Sequence, residues 1–449
     1  MIVAMEMVQA EAAQTDLAGR WEGALTVGGT ALPIVIRVEP GPDGLVTVMD
    51  SPAQNVRGLP VAGLTRSGGT VRFTVPAARG GFEGAVSADG GTWTGVWTQG
   101  AGSLPLILTR AAATAEPAGP NRPQTPRPPF PYAAEAVTFR NDGAGIALAG
   151  TLTLPEGMGP FPAVVLLTGS GAQDRDETIL DHKPFAVWAD ALTRRGIAVL
   201  RYDDRGVGGS GGGGPNETTG DFATDAQAAI AFLRTRTEID PARIGLMGHS
   251  EGGATAPLAV RNGAPAAFVV MLAGPAVPGA EIIIEQAVRI ATASGQTPAQ
   301  VVELRQLQSR IMAAVLANKD DGPAAAAAAQ AVLVEAGIPT EQARGSTAAI
   351  ASGWYRSFVA YDPGPALSAL TVPLLAVYGE KDLQVPADLD AGALRRLQPA
   401  AEIVILPGLN HLMQTATTGL PGEYGTIEET VSPVALTTVT DWVVKVTAP

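Results

Sequence analysis

The chain has no cysteine among its 449 residues, which excludes disulfides, thiolate metal ligands and a cysteine nucleophile together. It has only three histidines, too few for an imidazole-built metal site, and its carboxylates do not fall at ligand spacing, so no metal is expected. Basic residues number 30 against 43 acidic ones, and the net charge of −13 repels nucleic acid and anionic membrane surfaces alike. No apolar run approaches the roughly 18 residues a membrane-spanning helix needs. The longest, such as Ala163 to Thr168, are strand-sized. A soluble protein is expected, with neither nucleic acid nor membrane as partner. Met1 to Thr15 hold Glu6 and Glu11 but no Lys or Arg, so the basic flank of a secretory signal is missing. Either the chain is cytoplasmic, or a leader has been cut from a periplasmic or secreted protein. What is abundant is apolar: 46% of the residues, enough for two or three units with cores of their own.

After an N-terminal extension over 1–16, residues 17–110 read as a small all-β domain. Short runs such as Pro33-Ile34-Val35-Ile36-Arg37-Val38, Val71-Arg72-Phe73-Thr74-Val75 and Trp93-Thr94-Gly95-Val96-Trp97 are separated by turn residues. Seven such runs predict a barrel or sandwich. Trp21, Trp93 and Trp97 are expected in its core, with a ligand cavity as the alternative. Residues 111–133 carry Pro117, Pro120, Pro123, Pro126, Pro128, Pro129 and Pro131 and read as an extended spacer.

From residue 134 to 449 the pattern changes to alternating strands and helices. A hairpin over Val137 to Arg140 and Ile146 to Leu154 leads into strands at Ala163 to Thr168, Ala198 to Tyr202, Ile244 to Met247, Phe268 to Leu272, Leu374 to Tyr378 and Glu402 to Leu406. Helical stretches intervene, which predicts an eight-stranded, mostly parallel, doubly wound α/β sheet. Residues 275–370 break the alternation with helical patterns alone. Because they leave a strand at its carboxyl end, where open α/β sheets bind ligands, they are expected to form a helical lid. Trp354, Tyr355 and Phe358 within it line the substrate pocket or pack its helices.

Gly248-His249-Ser250-Glu251-Gly252 matches G-x-S-x-G between a strand and a helix, the setting in which a strained serine projects its hydroxyl above a sheet. With 54 glycines such a pentapeptide arises by chance, so its surroundings decide. A serine needs a general base, itself oriented by a carboxylate. His249 sits in the turn itself and His182 precedes the serine. His411, in the loop after the last core strand, remains. Asp382, after the strand Leu374 to Tyr378, is the expected acid, with Glu380 as substitute. The order serine, acid, histidine is the one this topology requires. Acyl transfer also needs two donors for a negative oxygen. One is the backbone N–H of Glu251. The other comes from Gly169-Ser170-Gly171-Ala172-Gln173-Asp174-Arg175-Asp176, from Ser170 or alternatively Gly171. Asp203-Asp204-Arg205-Gly206 lacks the lysine and spacing of a phosphate loop and reads as a loop held by an Asp–Arg pair.

Taken in order, Gly169 to Asp176, Tyr202 to Gly206, Gly248 to Gly252, Gly379 to Asp382 and Asn410-His411 resemble the α/β-hydrolase superfamily. They are similar to bacterial carboxylesterases whose oxyanion loop reads G-S-G-x-x-D-R-D. Thr168 departs from relatives that carry a His there. The resemblance implies hydrolysis of short-chain esters through an acyl-enzyme, with Ser250, Asp382 and His411 as the triad, a small-molecule ester as substrate and no cofactor. It also implies an exported origin, since the N-terminal β segment looks like a module ahead of such esterases. The same triad serves a peptidase, amidase or thioesterase, for which Glu251 and Asp204 are candidate amine anchors. A non-catalytic binding protein with a relict core is the remaining alternative, and a homodimer is left open.

Overall fold

The computed structural model describes residues 17–27, 30–41, 44–51, 56–99, 102–111 and 121–448. The extension over 1–16 and residues 112–120 of the proline-rich segment lie outside the described residues. The chain divides into two compact units, Met1–Gly119 and Pro120–Pro449.

The first unit is one antiparallel sheet of nine strands: β1 (Gly19–Val27), β2 (Thr30–Gly41), β3 (Gly44–Ser51), β4 (Val56–Pro60), β5 (Ala62–Ser67), β6 (Thr70–Val75), β7 (Gly80–Val86), β8 (Thr92–Gln99) and β9 (Gly102–Arg110). Their order is β4-β3-β2-β1-β9-β8-β7-β6-β5. The end strands β4 and β5 are joined through Val61 alone, so the sheet rolls back on itself. Alternate side chains fill the inside, among them Trp21, Ile36, Phe73, Phe82, Trp93, Trp97 and Leu108. Trp21 and Trp93 stack with centroids 3.7 Å apart, and the Arg110 guanidinium lies 4.4 Å over Trp21. All three tryptophans are core, and β4 and β5 are strands the sequence pattern missed.

The second unit holds an eight-stranded sheet: β10 (Ala133–Asn141), β11 (Ile146–Leu154), β12 (Phe161–Leu167), β13 (Ala198–Tyr202), β14 (Ile239–His249), β15 (Val269–Leu272), β16 (Leu374–Gly379) and β17 (Glu402–Leu406). The order is β10-β11-β13-β12-β14-β15-β16-β17. The β10–β11 and β11–β13 pairs are antiparallel and every later pair is parallel. This is the α/β-hydrolase fold. Strands buried on both faces show as continuous apolar runs. In β12, Ala163, Val165 and Leu167 face one core while Val164 and Leu166 face the other. The helices are α1 (Pro184–Thr193), α2 (Thr219–Leu233), α3 (Glu251–Arg261), α4 (Gly279–Ala293), α5 (Pro298–Ala317), α6 (Gly322–Glu335), α7 (Thr340–Thr347), α8 (Gly353–Ala360), α9 (Gly364–Ser368), α10 (Ala387–Leu397) and α11 (Pro433–Val446). Residues of α2, α3 and α10 cover one sheet face, and those of α1 and α11 the other.

Helices α4 to α9 all lie between β15 and β16. They have a small core of their own, built from Ile311, Met312, Val315, Leu333, Ile350 and Val359. Ala325 and Ala329 are fully buried within the alanine run, one turn apart, where small side chains let α6 pack closely. Local signals start these helices: Thr297 and Gln300 form a capping box on α5, and Asp321 caps α6.

The proline-rich segment is more than a spacer. Residues 121–132 belong to the second unit and pack against the rest of it, where buried Arg122 donates to the carbonyls of Leu180, Gly425 and Ile427. Gln124 donates to the Val431 carbonyl and accepts from Thr430 and Val431. A segment without a core of its own is held here by side chains that satisfy another loop's backbone. Among the described residues no helix is long and apolar enough to cross a membrane.

Candidate active site

Ser250 joins the end of β14 to the first residue of α3, at φ 52° and ψ −119°. A non-glycine residue there is strained. Its N–H donates to the Leu272 carbonyl at 2.9 Å, which pins the turn to β15. The flanking glycines are required by contact. A Cβ at Gly248 would lie 2.0 Å from the Gly252 carbonyl oxygen, and one at Gly252 would lie 2.2 Å from that of Leu167. The pentapeptide is therefore a tight elbow and no chance match in a loop.

The loops after β16 and β17 bring Asp382 and His411 together. Asp382 Oδ1 accepts the N–H groups of Gln384 and Val385 at 2.8 and 2.9 Å, while Oδ2 lies 2.8 Å from His411 Nδ1. Both residues are buried. Facing a carboxylate, Nδ1 carries the ring proton and Nε2 is left as acceptor. Glu380 is turned elsewhere, accepting the Gly408 N–H at 2.9 Å. His182, also buried, is spent on Thr430, Tyr424 and Gln414.

The loop after β12 is fixed from the β13 side. Arg175 pairs with Asp203 through Nε and Nη2 at 2.9 and 2.6 Å, and Asp204 accepts from Thr168 Oγ1 and the Gln173 N–H at 2.7 and 2.9 Å. The Asp–Arg pairing read from the sequence is thus between loops. Arg205 pairs with Asp225 instead, at 2.5 Å. Burial pushes the Asp204 carboxyl up to about 7. The Gly169 N–H is taken by Glu177 at 2.7 Å, and Ser170 follows it into the cavity beside Ser250. Gly171, at φ 100°, lines a separate pocket with Ala172 and Asp204, so the structure separates the two donor candidates. The Glu251 N–H is in the first turn of α3 and has no acceptor within the helix.

Glu177 and His249 carry contacts that sequence order does not reveal. Glu177 is buried at φ 51°, and its Oε1 accepts from Gly169 and meets His249 Nδ1 at 2.9 Å. His249 Nε2 lies 3.0 Å from the His411 carbonyl oxygen. Burial disfavours a charge on His249, but the Glu177 carboxylate and these hydrogen bonds outweigh it and hold the imidazole above its usual range. The signal in the sequence was adjacency: one residue precedes Ser250 and the other follows Asp176.

A cavity of about 280 Å³ is lined by Ser170, Ser250, Glu251 and His411, with Ile282 and Ile283 from α4 and Trp354 and Phe358 from α8. Tyr355, expected beside them, lines a different cleft among α4 to α8 and packs on the insertion's own core. Successive residues on a helix face different ways. The Glu251 carboxylate accepts from Thr219 Oγ1 at 2.7 Å and from Trp354 Nε1 at 3.0 Å. Burial raises its carboxyl above the usual range. Among the described residues no cluster of His, Asp and Glu is arranged to hold a metal ion.

Residues 183–416 match the family model Hydrolase_4, described as serine aminopeptidase, S33. Esterase EstD of Thermotoga maritima is 30% identical over 269 residues, which cover 59% of this chain and 58% of EstD. Thiohydrolase aneE of Aspergillus aculeatus is 38% identical over 113 residues, 25% of this chain and 33% of that protein. The chain thus spans less than two thirds of either relative. A solved thermophilic esterase from Thermogutta terrifontis is similar over 70% of this chain and all of its own, with 16% identity and a TM-score of 0.40.

Proposed function

Since the chain belongs to the Hydrolase_4 family of α/β-hydrolases, described as serine aminopeptidase, S33, we propose that it is a serine carboxylesterase acting through an acyl-enzyme. The observation that carries this reading is a strained Ser250 sharing one cavity with His411, whose Nδ1 is fixed by Asp382. Ser250 Oγ attacks the ester carbonyl as His411 Nε2 takes its proton. The N–H groups of Glu251 and Ser170 receive the negative oxygen. His411 then protonates the leaving alcohol and activates the water that frees the acid. The insertion between β15 and β16 acts as a lid, with Trp354 and Phe358 against the acyl or alcohol group.

An ester is favoured over an aminopeptide because the cavity's carboxylates are already committed. Glu251 is held by Thr219 and Trp354, and Glu177 by Gly169 and His249. Asp382 holds His411. Among the described residues lining the cavity, each carboxylate already has hydrogen-bond partners. Asp204, the other candidate anchor, lines the separate pocket. The test compares p-nitrophenyl acetate with an aminoacyl p-nitroanilide, alongside fluorophosphonate labelling. Ester turnover with labelling lost in Ser250→Ala is expected. Turnover of the anilide alone would make the protein a peptidase, and folded protein that takes no label would remove the enzyme reading.

A further inference from the structure

His249 faces two acceptors. A backbone carbonyl cannot donate, so the 3.0 Å contact between Nε2 and the His411 oxygen requires a proton on Nε2. The 2.9 Å contact between Nδ1 and Glu177 Oε1 requires a second proton between those atoms. If the pair loses one proton, the remaining ring hydrogen cannot serve both sides. It stays with the carboxylate, and the bare Nε2 lone pair then opposes the His411 carbonyl.

Three parts of the proposed reaction centre meet at this pair. Glu177 Oε1 takes the Gly169 N–H at 2.7 Å, which sets the start of the loop bearing Ser170. His249 is bonded covalently to Ser250. Its Nε2 fixes the backbone of His411, whose ring lies 4.9 Å from its own, centroid to centroid. Glu177 itself sits at φ 51°, a cost that a non-glycine residue bears only where the surroundings impose it.

We propose that Glu177 and His249 are positioning residues, a proton-loaded bracket that keeps the donor loop, the nucleophile and the base in register. The proposal rests on the hydrolase reading for its catalytic consequence but not for its protonation state. The charged and titratable groups facing the His249 ring are Glu177 from the loop before α1, Asp382 from the loop after β16 and the His411 ring from the loop after β17. Against the cost of burial, the Glu177 carboxylate and the His411 carbonyl favour a proton on each ring nitrogen. Both residues also line the cavity, but unlike a triad member the pair exchanges no proton with the substrate.

With three histidines in the chain, nitrogen NMR of histidine-labelled protein can assign each ring by single substitution. One imidazole, absent in His249→Gln, should carry protons on both nitrogens at mildly alkaline pH. If all three rings are singly protonated there, the bracket is overturned whether or not the protein is an esterase. For the catalytic arm, Glu177→Gln keeps the shape and an acceptor but removes the charge. Its kcat for p-nitrophenyl acetate should fall by about 10²-fold at mildly alkaline pH with KM little changed, as for a misplaced reacting group. Its basic kcat limb should move to lower pH, and fluorophosphonate should still label Ser250 slowly. A folded Glu177→Gln protein with the unaltered pH profile would overturn the positioning role. Absence of label on the unsubstituted protein would instead overturn the hydrolase reading and leave the doubly protonated ring standing.

Discussion

The two sheets treat buried charge in opposite ways. Inside the rolled nine-stranded sheet the side chains are aromatic and aliphatic, and Asp50, a buried carboxylate of that unit, is paired with Arg37 and the Gly58 N–H. At the carboxyl ends of the parallel strands, Glu177, Asp203, Asp204, Glu251, Asp382, His249 and His411 are all buried within a few loops. Burying ionisable groups costs stability unless each finds partners. The first unit invests its interior in packing. The second concentrates polar groups where the strands end, and burial raises the Asp204 and Glu251 carboxyls there, as is common for groups at reaction sites.

The strongest way to break this contrast is to remove the nucleophile. Ser250→Ala should lower p-nitrophenyl acetate turnover by about 10⁶-fold while leaving the unfolding transition of the second unit in place. Next, Asp382→Asn keeps the geometry but lets His411 adopt the wrong tautomer, and kcat should drop by about 10⁴-fold with KM little altered. A change of comparable violence to the other interior should act on stability alone. Trp93→Ala removes a fully buried ring stacked on Trp21 and should cost the first unit about 3–5 kcal/mol, read by denaturant unfolding, with ester turnover unchanged.

The buried carboxyls of the second unit also respond to pH. Burial lifts Asp204 and Asp390 from 3.8 to about 7, so each binds a proton more tightly folded than unfolded. Between those values the native state holds more protons than the unfolded chain. Stability of the second unit therefore falls as pH rises through that window and is flat above it. Thermal unfolding at intervals between about pH 4 and 8 should show this slope, reduced in Asp204→Asn. The smallest effect concerns strain. Ser250→Gly and Ser250→Ala lose the same hydroxyl, but glycine tolerates φ 52°, and the glycine variant should be more stable by about 1 kcal/mol in paired urea melts.

Much of the second unit was legible because parallel strands buried on both faces leave unbroken apolar runs. Each of the eight anticipated strands overlaps one of β10 to β17. In the first unit β4 and β5 escaped notice. Gly58 and Pro60 make Val56–Pro60 look like a turn, and Ala62–Ser67 has no buried alternate face to leave a period-two trace. At the site, motif order picks out Ser250, Asp382 and His411, each set after the end of a strand, and the fold brings the three together. Motif order could not find Glu177, whose partners Gly169 and His249 lie at separations that only the folded chain closes. The separate placements of Ser170 and Gly171, and of Trp354 and Tyr355, depend on backbone direction at one residue, which composition does not encode.

The hold of Arg122 on the carbonyls at 180, 425 and 427 says where this protein can be cut. A fragment of the second unit trimmed to begin at the first strand of its sheet would look economical, yet it would discard Arg122 and Gln124. Five backbone groups around the 425–431 loop would then face solvent or one another, and that loop adjoins the one that carries His411. A fragment that keeps Asn121 onward retains its own fastening, so the working border of the second unit lies inside the stretch that proline content marks as mere tether.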